Sequence, residues 1–151
     1  MRLQLSKILT SSDYLLHCDM WNVGKFPSSA KVIDCGLGES NLLNIAGGLA
    51  SQGESVFVYG VCGFIIHRYE QLKFSCRDFG SKSGRIVICN AGKYGYGGLG
   101  NGHILDDDIQ IMDTLGIRWF IPSDVNEFIG IINNLPQIGI FYIQLGKDHE
   151  R

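Results

Sequence analysis

The chain has 151 residues, with 13 Lys and Arg, 15 Asp and Glu and 4 His, for a formal net charge of -2. That length is typical of one globular domain, and a hydrophobic share of 45% is enough to build a core. The near-neutral balance without basic clusters argues against nucleic acid as a partner, and no run reaches the roughly 20 apolar residues of a membrane span.

Apolar, β-branched runs alternate with helix-period segments along the chain. The runs predict strands at 14–18, 31–35, 55–60, 85–90, 118–122 and 139–145. Helices are predicted at 39–52 and 64–79, and a further helix carrying Phe128 follows a cap at Ser123 and Asp124. This alternation predicts a single α/β domain over 1–151, with a doubly wound, mostly parallel sheet and helices on both faces.

Five scattered cysteines, an odd number without metal-ligand spacing, predict reduced core thiols and a cytoplasmic protein with no metal ligands. The N-terminus lacks the pattern of a secretory signal and is interpreted as mature sequence. Charged residues make up only 19% of the chain, below the usual share of about 25%. This low charge predicts that another subunit covers part of the surface.

Parallel sheets bind ligands just beyond the carboxyl ends of their strands. One candidate there is the loop 91–103, in which Gly95, Gly97 and Gly100 match a dinucleotide-binding pattern. The context disfavours this reading, because the next predicted helix opens with the aspartates 106–108, which would repel a phosphate. The loop ends at His103. A nicotinamide-nucleotide site and a plain surface loop remain alternatives.

Glu39 lies just past the second predicted strand, separated from it by a short turn that contains Gly36 and Gly38. As a structural residue it would be a first-turn glutamate favoured by the helix dipole. As a functional residue it would be a carboxylate at the ligand edge, and position alone leaves both interpretations open. Behind it, Gly47 and Gly48 give the helix a small face suited to close packing across an interface.

Several short motifs, in order along the chain, resemble the pyrimidine-binding domain of transketolase-like thiamine diphosphate enzymes. The matching segments are 34–41 (DCGLGESN), 45–50 (IAGGLA), Phe64, 69–72 (YEQL), 97–103 (GGLGNGH), 121–124 (IPSD) and 142–146 (YIQLG). Each motif is weak alone, and their colinear succession makes the resemblance specific.

The resemblance implies a role for each matching residue. Glu39 would hydrogen-bond N1′ of the cofactor's aminopyrimidine and activate its amino group as a base. Phe64 would stack on the pyrimidine ring, although most phenylalanines are plain core residues. Val61 and His67 match further positions of that pocket, and His103 matches a histidine facing the reacting centre.

Departures from the family pattern bear on the substrate and the partner. Leu99 stands where the family carries an acidic residue used on a substrate hydroxyl, and Val61 and His67 replace an aromatic residue and an arginine. The chain also contains no Gly-Asp-Gly, the signature of the domain that holds Mg²⁺ and the diphosphate. Another subunit carrying that motif is therefore expected to hold both, in a heterotetramer.

The resulting prediction is the pyrimidine-binding subunit of a heteromeric transketolase-like transferase, active only with its partner on a small-molecule substrate. Two-carbon ketol transfer is the first choice. A 2-oxo acid decarboxylase or acyl transferase subunit is an alternative if Leu99 indicates a less hydroxylated substrate. A non-catalytic interaction domain of the same fold is another.

Overall fold

The strands form one all-parallel sheet in the computed structural model, which describes residues 2–19, 29–90, 100, 103, 104 and 106–145. The sheet contains β1 (Asp13–His17), β2 (Lys31–Asp34), β3 (Ser55–Gly60), β4 (Arg85–Asn90), β5 (Arg118–Phe120) and β6 (Gly139–Gln144). Their order is β2-β1-β3-β4-β6-β5. The predicted doubly wound α/β class is confirmed.

Helices connect the strands and cover both faces of the sheet. They are α1 (Arg2–Ile8), α2 (Glu39–Ser51), α3 (Cys62–Ile66), α4 (Tyr69–Gln71), α5 (Asp108–Leu115) and α6 (Val125–Asn134). The helix α4 continues as a π-helical segment (Leu72–Phe79) and a 3₁₀ turn (Gly80–Lys82), and we call the whole the 69–82 helix. Within the described residues, no helix is both long and apolar enough to cross a membrane.

Two apolar cores lie on opposite faces because alternate residues of each strand point in opposite directions. Val58 and Ile88 face α2, the 69–82 helix and α5, whereas Phe57 and Val87 face α1 and α6. The central strands β3 and β4 are buried nearly throughout, as their continuous apolar runs predict. The edge strand β2 is largely exposed.

The predicted helix at 64–79 is wrong in one respect, because the chain breaks it near Arg68. The helix α3 ends with His67 as its C-cap, and Arg68 takes a non-helical ψ of 51° before α4 begins. Neither glycine nor proline marks the break, so helix propensity could not reveal it. The predicted cap of α6 is confirmed, since Asp124 Oδ1 accepts the Glu127 N–H at 2.9 Å.

The small face of α2 packs within the chain. A Cβ atom on Gly47 would lie 2.2 Å from the Ser75 carbonyl oxygen, and one on Gly80 would lie 2.7 Å from Gly47 Cα. Gly47 therefore lets α2 and the 69–82 helix approach each other at backbone contact. The expectation that this face packs across a subunit interface is wrong for Gly47, while Gly48 is exposed with open space around it.

Candidate active site

The order of the strands reverses between β1 and β3. From β1 the chain moves to β2 on one side and then returns to β3 on the other. Loops leave such a point in opposite directions, which opens a crevice at the carboxyl edge of the sheet. The segments that follow β1, β2 and β3 all meet this edge, and two of them carry predicted site residues.

Glu39 is the first residue of α2 and is partly buried. Its carboxylate lies close to the Cys18 thiol, which follows β1: burial raises the pKa of Cys18 to about 12, and the nearby Glu39 charge is the second cause of that shift. Glu39 and Cys18 thus lie near each other at the carboxyl ends of the neighbouring strands β2 and β1. No described residue donates a hydrogen bond to the Glu39 carboxylate.

Val61, Phe64 and His67 lie together on α3, which follows β3. Val61 is the N-cap of this helix and its carbonyl accepts the Ile65 N–H at 3.3 Å, while His67 is the C-cap. Phe64 and Val61 are partly buried, and the His67 side chain is exposed. A Cβ on Gly60 would lie 2.8 Å from Ile65 Cδ1, so glycine at the end of β3 allows α3 to pack close to the sheet.

His103 contacts Phe64 through an aromatic ring pair. The two rings have centroids 4.9 Å apart and planes at 64°, an edge-to-face arrangement favoured by their opposite edge and face charges. The His103 backbone N–H donates to the Gly100 carbonyl at 3.0 Å, which fixes the end of the loop. Two residues 39 positions apart in sequence, both singled out from the resemblance, therefore share one wall. Leu99 and the rest of 91–99 lie outside the described residues.

Sequence reasoning missed a buried polar network beneath this wall. The Asn90 amide donates to the Tyr142 hydroxyl, which donates to the Asp108 carboxylate, and Gln144 Nε2 donates to the same carboxylate at 2.8 Å. Asn90, Tyr142 and Asp108 are buried. The signal was the pair Asn90 and Gln144, polar residues that close two apolar strands lying in register. The network ties the start of α5 to β4 and β6.

The Asp108 carboxylate belongs to this internal network, so it is not a helix-start charge facing a ligand. Asp107 precedes it as the N-cap of α5. Negative charge at this helix start disfavours phosphate binding there, in line with the weak dinucleotide reading of the glycine loop. Among the described residues, no cluster of His, Cys, Asp or Glu side chains is arranged to hold a metal ion.

The sequence has relatives among curated proteins. The B subunit of the apulose-4-phosphate transketolase of Phocaeicola vulgatus is 31% identical over 124 residues, which cover 78% of this chain and 38% of that protein. The protein of the same name from Actinobacillus succinogenes is 32% identical over 130 residues, or 83% of this chain and 40% of its own length. The chain is transketolase-like. The resemblance inferred from its motifs is confirmed.

Two further matches are an uncharacterized relative and a solved structure with the same fold. An uncharacterized 33.6 kDa protein in the fasciation locus of Rhodococcoides fascians is 27% identical over 127 residues, 80% of this chain and 39% of that protein. A solved structure of a split-gene transketolase, an inactive β4 tetramer, shares the fold with a TM-score of 0.74 at 20% identity. That match covers 97% of this chain and 48% of the other. No protein-family model matches.

The transketolase-like chain spans about 40% of the length of the curated relatives it matches.

Proposed function

We propose that this chain is the pyrimidine-binding subunit of a heteromeric, thiamine diphosphate-dependent transketolase that transfers a two-carbon ketol unit. Two features near the reversal point of the sheet carry the proposal. One is a carboxylate that receives no hydrogen bond from the described residues, and the other is an aromatic wall. Glu39 begins α2 after β2 and lies near Cys18 at the end of β1, and Phe64 with His103 lies beyond the end of the neighbouring strand β3.

Glu39 fits one atom of the cofactor in particular. Thiamine diphosphate, when bound, supplies a carbon that makes and breaks carbon-carbon bonds next to a carbonyl. A partly buried carboxylate that receives no hydrogen bond from the described residues suits the ring nitrogen N1′ of the aminopyrimidine, since a shared proton there would draw electrons from the amino group. The role of Glu39 is to hold that proton.

Phe64 and His103 form the opposing surface. The partly buried Phe64 ring offers an apolar face of the size of a pyrimidine, and Val61 extends that surface at the start of α3. Contact with Phe64 orients the His103 imidazole, a group able to hydrogen-bond a substrate oxygen or to move a proton. His67, exposed at the end of α3, is assigned to the rim of the pocket.

Leu37 indicates where a partner subunit would cover the site. Its side chain is 83% exposed, two residues before Glu39 in the same turn. An apolar side chain this exposed is stabilised when another surface covers it. The proposed partner carries Gly-Asp-Gly, holds Mg²⁺ and the diphosphate, and completes a heterotetramer. The structural neighbour, described as an inactive tetramer of β subunits, supports a need for a second kind of subunit.

The test is assembly with a candidate Gly-Asp-Gly subunit, followed by calorimetric titration with thiamine diphosphate and Mg²⁺. We expect tight binding by the pair and little by either subunit alone. Glu39→Gln should lower turnover by at least about 100-fold, the scale of a lost acid-base contribution, without changing the melting temperature. Glu54→Gln is the matched control at the opposite edge of the sheet. Normal turnover in Glu39→Gln would contradict the proposal and favour a non-catalytic interaction domain.

The substrate assay separates ketol transfer from its alternative. The relatives are named for apulose 4-phosphate, which supports a phosphorylated ketose as donor. Leu99 at the family's acidic position instead favours a 2-oxo acid decarboxylase or acyl transferase. Activity on a phosphorylated ketose and none on simple 2-oxo acids is the result we expect, and the reverse pattern would assign the alternative.

A further inference from the structure

The carboxylate of Asp34, the last residue of β2, joins two backbone segments. Asp34 Oδ1 accepts the Gly36 N–H at 2.9 Å and the Asp19 N–H at 3.2 Å, and His17 Nδ1 lies 3.5 Å from the same oxygen. Asp19 belongs to the segment after β1, whereas Gly36 begins the turn that leads to Glu39. One oxygen atom therefore connects the ends of two adjacent strands at the candidate active site.

Both connected segments contain left-handed backbone. Gly36 has φ +60° and Asp19 has φ +46°, and Asp19 is the one described non-glycine residue with positive φ. A left-handed backbone conformation costs an L-residue about 1 to 2 kcal/mol, so it persists where hydrogen bonds to neighbouring groups stabilise it. The hydrogen bond from the Asp19 N–H to Asp34 Oδ1 is one of these. A Cβ on Gly38 would lie 3.0 Å from the Cys35 carbonyl oxygen, which shows how tightly the second turn closes.

The start of α2 depends on this turn because no side chain caps the helix. Gly38 is its N-cap and makes no side-chain hydrogen bond. The Gly38 carbonyl accepts the Leu42 N–H at 2.8 Å, which begins the helix directly after the turn. The position of Glu39 is thus set by the path of residues 35–38. On that path the Gly36 N–H donates to the Asp34 side chain at 2.9 Å.

We propose that Asp34 is a positioning residue: by clasping the Gly36 and Asp19 amides, it sets the turn that places the Glu39 carboxylate. The inference rests on the proposed function of Glu39, which Asp34 serves without touching cofactor or substrate. The Gly36 N–H, the Asp19 N–H and His17 keep the pKa of the Asp34 carboxyl below its usual value, so the acceptor is ionised at neutral pH.

Asp34→Ala and Asp34→Asn, examined in the assembled enzyme, distinguish a hydrogen-bond acceptor from a mere negative charge. Ala removes the acceptor, whereas Asn keeps an oxygen at the same place and loses the charge. We expect Asp34→Ala to speed amide hydrogen exchange at Gly36 about tenfold or more and to lower kcat about tenfold, with little change in KM. In Asp34→Asn, both the Gly36 exchange rate and kcat should stay close to those of the unmodified enzyme.

Asp124→Ala is the matched control. It removes a carboxylate that accepts a backbone N–H in the same way, beside β5 at the far end of the sheet. It should lower the melting temperature and leave kcat and Gly36 exchange unchanged.

Unchanged Gly36 amide exchange or unchanged kcat in Asp34→Ala would contradict the positioning role of Asp34. Equal changes of exchange and kcat in Asp34→Asn would contradict it as well. Full turnover in Glu39→Gln would overturn the proposed function instead. The exchange measurement reports on the turn whichever way that activity assay falls, so the two failures can be told apart.

Discussion

The two edges of the sheet treat their polar side chains differently. At the amino edge, Arg85 donates to Ser55 Oγ from Nε at 3.1 Å and from a terminal nitrogen at 2.8 Å, and it lies 3.5 Å from Asp13. Asp13 accepts the Thr10 N–H and hydroxyl, each at 2.8 Å. Arg85 and Asp13 are buried, and these bonded groups form part of the lining of a cavity of about 450 Å³.

At the carboxyl edge, the predicted site residues keep groups that could contact a ligand or a partner. Glu39 is partly buried with no donor among the described residues, His103 contacts Phe64 by its ring alone, and Leu37 is exposed. The carboxyl edge also has internally bonded groups, in the Asn90 network and at Asp34, but it differs from the amino edge in keeping Glu39 without a donor among the described residues. Mutations in the Arg85 and Asp13 network should therefore change the free energy of unfolding, and mutations of Glu39, Phe64 or His103 should change turnover or cofactor affinity.

The largest stability effect is expected at the amino edge. Arg85→Met leaves Asp13 buried without its counter-charge and should lower the free energy of unfolding by about 3 kcal/mol, measured by denaturant titration. Asp13→Asn combined with Arg85→Met removes both charges and should be less destabilised than Arg85→Met alone. When the folded Arg85→Met variant is assembled with its partner, its kcat should be unchanged. A fall in kcat would contradict the separation of the two edges.

Gly47→Ala tests α2 away from its catalytic end. The added methyl group would meet the Ser75 carbonyl, so we expect a loss of about 2 kcal/mol in the free energy of unfolding. Gly48→Ala, one residue along the same helix, faces open space and should stabilise the protein by about 0.5 to 1 kcal/mol. Equal changes in the free energy of unfolding for the two variants would contradict the close packing of α2 against the 69–82 helix.

Phe64→Leu sharpens the comparison at the carboxyl edge. Loss of the ring face and of the His103 contact should weaken thiamine diphosphate binding by the assembled enzyme about fivefold, measured by calorimetry, while thermal unfolding changes little. Phe74→Leu replaces an exposed phenylalanine on the 69–82 helix and serves as control. If Phe64→Leu lowers stability as a core mutation does and spares affinity, Phe64 is a core residue.

The smallest effect is an acid-dependent one at Asp34. Its pKa in the folded chain lies below the unfolded value of about 3.9, so its stabilisation is complete above that pH and is lost as the pH falls through the folded pKa. Asp34→Asn should therefore show a smaller drop in melting temperature between about pH 6 and pH 3. Glu127, whose pKa is also lowered, titrates in both proteins and cancels in the comparison. Equal drops would contradict the prediction.

Much of this architecture could be predicted from sequence because the central strands are continuous apolar runs. The bounds of β3 and β4 agree with the prediction to the residue. Strand β2 ends one residue earlier than expected, since Cys35 already belongs to the turn. Helix α1 was not predicted, as seven residues carry too little periodicity to distinguish a short helix from a tail.

The site divides in the same way. Glu39, Phe64 and His103 were predicted as site residues from local motifs that keep their order along the chain. The Asn90 and Asp108 network, the Asp34 clasp and the fit of Gly47 against Ser75 each join residues distant in sequence or depend on backbone angles. Such contacts follow from the packing of whole elements, which single-residue preferences do not encode.

The edge location of β2 has a consequence for how the protein loses activity. This strand pairs with β1 alone and is mostly exposed, so its hydrogen bonds open at lower free energy than those of β3 or β4. Fraying there would release the segment that carries Glu39 while the remaining ladder stays intact. Under mild denaturant, inactivation should then precede the loss of far-ultraviolet circular dichroism, and any partner docked over Leu37 would delay it.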